Sequence, residues 1–142
     1  MNSDVVIFSY SRTQALEDGV LVDVSNLAKE AGIKFPVAVS EAVWKRYCEV
    51  PEGTVGQDVT GRTWDVMWMM RAAIRKSNGS DELRFKLHVA LPDRGDWQEN
   101  EDVPERGSSL SRATHRLVTL KALCGPGDDA EPVITVMLPH ED

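Results

Sequence analysis

Hydrophobic and polar positions alternate most regularly in "LRFKLHVAL". Leu83, Phe85, Leu87, Val89 and Leu91 fall on one side, and Arg84, Lys86 and His88 on the other, which predicts a half-buried strand with a basic outer stripe. Upstream, "GRTWDVMWMMRAAIRKS" changes period. Trp64, Met67, Trp68 and Arg71 recur at helical spacing, while Val66, Met69, Met70 and Ala73 form a second apolar side. Apolar residues around most of the circumference predict one long buried helix over about residues 61–77, with both tryptophans in the core and Arg71 stacked on one of them.

The first sixty residues are short pieces between turn signals. "DVVIFSY", Asp4–Tyr10, reads as a strand, and "SRTQ" has the form of a capping box with Ser11 accepting from the Gln14 N–H. Gly19 and Gly32 stand where a left-handed residue closes a helix, and Ser25 and Ser40 where a hydroxyl opens one. "EAVWKRYCEV" continues as a helix that halts at Pro51. At the other end, "THRLVTLKALC" and "PVITVMLP" are two strands joined by an acidic tip, expected to pair as an antiparallel hairpin. Between Leu91 and Thr114 lie more than twenty residues of Pro, Gly, Ser and charge; a polar loop at 92–113 of that length is either functional or disordered. The expected fold is α+β: short N-terminal α and β elements, then the long helix packed on a C-terminal antiparallel sheet. A chain of 142 residues fits a single domain over 1–142.

Charge adds an asymmetry. The net charge is −7. Residues 61–91 hold 6 bases against 3 acids, whereas residues 92–142 hold 11 acids against 5 bases. An acidic surface is repelled by phosphate backbones, so direct nucleic-acid binding is disfavoured, although Arg71, Arg75, Lys76, Arg84 and Lys86 supply a local basic face. No apolar run reaches a membrane span, so the expected location is the cytoplasm, with no membrane partner. Two distant cysteines, Cys48 and Cys124, then read as small reduced hydrophobes.

Candidate chemistry is sparse. Tyr10, Arg12, Glu17, Asp18 and Asp23 form a polar corner in which Arg12 can hold a carboxylate or phosphate, or else pair with Asp23. His88 and His115 fall on strands expected to be neighbours. Arg12, Asp23, His88 and His115 are therefore the catalytic candidates of a small-enzyme reading with its pocket near Tyr10. His140 sits in "HED", where solvation is expected. No ligand spacing marks a metal, no phosphate loop or nucleophile elbow is present, and no cofactor is expected. The acid-rich stretches "DWQENEDVPE" and "GDDAE" offer a negative surface with one aromatic, so Trp97, Glu99, Glu101, Asp102, Asp128 and Asp129 are the partner-binding candidates.

Three blocks, "SYSRTQALEDGVLVDVSNLAKEAGIKFPVAVSEAVW", "GRTWDVMWMMRAAIR" and "LVTLKALCGPGDDAEPVITVMLPHED", resemble in that order an uncharacterised family of small single-domain bacterial proteins carried by plasmids, integrative elements and prophages. The resemblance implies a mobile-element setting and brings no catalytic residues. Together these point first to a non-enzymatic accessory or interaction protein of a mobile element, acting as an acidic inhibitor of a host defence protein. The expected partner is a protein, basic or nucleic-acid-binding. The small enzyme is the alternative.

Overall fold

Ser11 accepts from the Gln14 N–H at 3.0 Å and opens α1 (Arg12–Glu17), as its capping pattern predicts. The computed structural model describes residues 10–142, so the strand expected over Asp4–Tyr10 lies, but for Tyr10, outside the described residues. Gly19 at φ +76° turns the chain into β1 (Leu21–Asp23). Ser25 does not cap the next helix as expected. It is the first residue of α2 (Ser25–Glu30), and its hydroxyl donates to Asp23 Oδ1 at 2.6 Å and accepts from Val37 N at 3.0 Å, tying α2 to β2 (Val37–Ser40). Ser40 does cap, accepting from Val43 N ahead of α3 (Glu41–Val43), which runs into a π-helical turn, Trp44–Cys48. Asp58 caps α4 (Val59–Lys76). The remaining strands are β3 (Glu82–Ala90), β4 (Glu101–Asp102), β5 (His115–Pro126) and β6 (Pro132–Met137).

The six described strands form one sheet in the order β1-β2-β6-β5-β3, with β4 added to β5. β5 and β6 are the expected antiparallel hairpin, and β3 lies antiparallel on the other side of β5. The sheet is nevertheless mixed. β2 runs parallel to β6, Val37 opposite Ile134 and Val39 opposite Val136, so the N-terminal elements extend the C-terminal sheet instead of standing apart from it. The reason is burial: Val133, Ile134, Val136 and Met137 are all buried, and a strand that apolar on both faces belongs in the middle of a sheet. The fold is α+β.

One face of the sheet carries Phe85, Leu87 and Val89 beside Val118 and Leu120, and then Val136 and Val39. Helix α4 covers this face with Val66, Met67 and Met70, each fully buried and each contributing roughly 1.5–3 kcal/mol of apolar burial. Of the two tryptophans expected in the core, Trp68 is a correction. It is 46% exposed, whereas Trp64 is partly buried against the core. Their rings stack at 5.9 Å, and the expected stacking of Arg71 is present, its guanidinium 5.1 Å above Trp68. Thr63, Val66, Met67 and Met70 have the same spacing as Trp64, Met67, Trp68 and Arg71, and periodicity alone does not choose between two such stripes. On the opposite face Arg84, Lys86 and His88 are exposed as expected.

Candidate functional site

The long segment between β3 and β5 has the composition of a free loop but is anchored from below. Its centre, β4, pairs with β5, setting Glu101 opposite Val118 and Asp102 opposite Leu117. Opposed residues share a face, so Glu101 is turned inward and Asp102 outward. The Glu101 side chain is 0% exposed. Arg46, from the π-helical turn, grips it with two nitrogens, Nε at 2.5 Å and Nη2 at 2.9 Å. Arg116, on β5 and itself buried, adds Nη1 at 2.8 Å. The Tyr47 hydroxyl also donates to Glu101, as does the Gln98 N–H at 3.1 Å.

Both arginines reach further along the same segment. Arg116 donates to Pro92 O and Asp96 Oδ1, and Arg46 to Asp96 O. Asn100 bridges the Tyr47 hydroxyl and Thr119 O. The Trp97 ring closes the cluster, with the Arg116 guanidinium 4.2 Å from its centroid. Burial alone would push the Glu101 carboxyl up, but the donors from Arg46, Tyr47 and Arg116 outweigh it and hold its pKa down at about 2. The Tyr47 hydroxyl moves the other way, raised first by burial and then by its bond to Glu101. Asp96 is lowered, chiefly by Arg116.

Of the expected partner-binding residues, the structure leaves Trp97, Glu99 and Asp102 exposed on this anchored loop, Glu99 and Asp102 lining one groove with Arg84 and His140, and sets the other three elsewhere. Glu101 is interior and out of a partner's reach. Asp128 and Asp129 lie on the β5–β6 tip, about 27 Å along β5 from Val118 at strand spacing. Asp128 there accepts from Arg12 N, Thr13 N and Thr13 Oγ1, holding the start of α1, and these bonds lower its pKa. His140 stands 3.4 Å from Glu99, at the side of the loop.

The catalytic candidates have local uses. Arg12 donates to Thr135 Oγ1 at 2.8 Å and Ile134 O at 3.0 Å; it feels the charge of Asp23 but forms no ion pair with it among the described residues. Asp23 accepts from Ser25, and Tyr10 donates to Asp18. Arg12 and Asp23 do line one groove of about 230 Å³, floored by Ala38 and rimmed by the hairpin-tip acids.

His88 and His115 lie two register positions apart on adjoining strands and share a groove of about 210 Å³. Its other charged members, Arg62 and Asp65, carry no signal in the sequence that sets them apart. Arg62 is buried, donates to Ala90 O and Arg46 O, and is lowered in pKa by desolvation; its Nε has no hydrogen-bond partner among the described residues. Burial likewise raises Asp65. Cys48 is buried and its thiol is pushed up to about 11, which leaves it protonated at neutral pH. Among the described residues no three His, Cys, Asp or Glu side chains converge to hold a metal ion. None of the described helices is long and apolar enough to cross a membrane.

The whole chain, residues 1–142, matches the family of unknown function DUF6573, and it belongs to that family. No curated protein matches the chain, and no solved structure does.

Proposed function

We propose that this member of DUF6573 is a non-enzymatic interaction protein whose docking surface is the outer side of the loop around Trp97. A basic protein would be its partner. One observation carries the reading: a segment with the composition of a flexible loop is held in place by buried charges. Burying a carboxylate between two guanidinium groups costs desolvation that a plain apolar contact does not, and its best-attested effect is a single fixed arrangement. A fixed loop binds without paying the entropy of ordering itself.

What the anchor holds in place is a partly exposed aromatic ring, Trp97, on a loop that also exposes Glu99, Asp102 and Glu105. A large ring surrounded by charge suits a contact in which the aromatic supplies affinity and the acids supply orientation and on-rate. On a mobile element such a surface has a use. Carboxylates stand in for phosphates and occupy the nucleic-acid site of a basic host defence protein.

The test is affinity capture from the cytoplasm of a bacterium carrying the gene, using the wild-type chain and a Glu99→Lys, Asp102→Lys, Glu105→Lys variant whose fold is checked by circular dichroism. The expected result is a basic protein retained by the wild type, released as salt rises past about 0.15 M, where surface charges are screened within ~8 Å, and missing with the variant. Equal capture by both chains, or no salt-sensitive partner at all, overturns the proposal.

A further inference from the structure

A further cavity, on the helix-covered side of the sheet, is unrelated to the acidic loop. It measures about 460 Å³ and opens where the C-terminal end of α4, the start of β3 and the α2–β2 turn meet. Ile33, Ile74, Leu83 and Ile134 make it apolar inside, and the exposed ring of Phe35 stands at its mouth. Lys34, Arg71 and Arg75 line it as well, against one acid, Asp81. None of the three cations is in a salt bridge among the described residues, in a chain that carries 23 acids.

Two of these charges have a partial explanation within the fold. Arg75 lies in the last turn of α4, where the helix dipole favours a cation, and Arg71 stacks on Trp68. Neither explains why Lys34 joins them from a different element. Nor does either explain the backbone beside Arg71. Gly32 sits at φ +91°, and a Cβ added there would lie 3.0 Å from Arg71 Nε, so any side chain at this position would crowd the guanidinium where it enters the cavity. Gly32 ends α2 and at the same time leaves Arg71 its place.

We propose that this cavity binds a small amphipathic acid, its aliphatic body in the apolar interior and its carboxylate at the mouth between Arg71, Arg75 and Lys34. The size falls within the roughly 300–1,000 Å³ of ligand pockets, and an apolar lining with a few convergent polar groups is their usual make-up. The sign of the rim selects the head group: three cations against one acid favour a carboxylate over an amine or a neutral alcohol. Arginine adds the planar fork that matches two carboxylate oxygens.

Decanoate and 1-decanol are the probes, since they share a chain and differ at the head. Calorimetric titration of the full chain should show decanoate binding at least about tenfold more tightly than decanol, a difference that one well-placed charged contact supplies. Arg71→Gln with Arg75→Gln should remove that preference. Lys34→Gln, at an exposed position where folding is not at stake, should reduce it. Cys124, a free thiol that lines the same cavity, reports the location: decanoate should slow its alkylation by N-ethylmaleimide. Equal affinity for the two probes, no binding of either, or an unchanged Cys124 rate at saturating decanoate each overturns the proposal.

Discussion

The loop around Glu101 and the hairpin tip around Asp128 are both acidic, both sit among turn residues, and each has a carboxylate that reaches across to a distant part of the chain. They differ in where that carboxylate ends up. Glu101 is inside, with two guanidinium groups, a phenol and a backbone N–H on its two oxygens. Asp128 is on the surface and holds the first residues of α1 through two N–H groups and the Thr13 hydroxyl. Water competes for the second set and is excluded from the first. The same kind of group thus sets the position of a segment of more than twenty residues in one place and trims the end of a six-residue helix in the other. Burial decides between them, and composition does not record burial.

The contrast is sharpest in a single isosteric change. Glu101→Gln keeps the shape but takes away the only buried counter-charge of Arg46 and Arg116, leaving them the half-exposed carboxylate of Asp96. A loss of about 3–5 kcal/mol is expected, read from the shift of the urea midpoint. A loss below about 1 kcal/mol, the size of an exposed pair, would mean that the loop is held by its other bonds and not by this carboxylate.

Acid should separate the two regions next. The folded pKa of Glu101, about 2, lies below its ordinary 4.5, so its contribution is complete above pH 4.5 and is lost as the pH falls from there towards 2. Wild-type stability should therefore drop through that window, and the Glu101→Gln chain should drop less, as measured by urea unfolding at neutral pH and at two acid values inside the window. Parallel curves would assign the acid sensitivity to other carboxylates. The smallest effect belongs to the tip. Asp128→Ala should loosen the start of α1, visible as faster amide exchange at Arg12 and Thr13, with a midpoint shift well below that of Glu101→Gln. A larger shift than Glu101→Gln would reverse the comparison.

What could be read from the sequence was local. Ser11, Ser40, Gly19 and Gly32 do what their neighbours within four residues imply, and the β3 alternation separates inward from outward side chains correctly. What failed depended on partners far away. Whether Trp68 or Met70 faces the sheet is settled by which stripe of α4 meets Phe85 and Leu87, and helical spacing is blind to that. Glu101 lies 55 residues from Arg46 and 15 from Arg116. The sequence does carry one clue. Arg116 has the same strand parity as Val118, Leu120 and Ala122, and a charge on the inward side of an apolar strand requires an opposite charge to meet it. Parity along β5 therefore calls for a buried acid, and only the choice of Glu101 among the loop's carboxylates needs the tertiary arrangement.

The parallel pairing of β2 with β6 has a consequence for how the chain folds during synthesis. Ser40 ends β2 and Pro132 begins β6, so β2 is synthesised with its principal neighbour still more than ninety residues from being made. At about 5–20 residues per second, the β1–β2 hairpin waits several seconds with one edge open. The last described strand to emerge is also the one that joins both halves of the sheet. Folding is therefore concentrated in a late, long-range closure of the slow kind, and until that closure the β2 edge is the part of the nascent protein most exposed to wrong pairing.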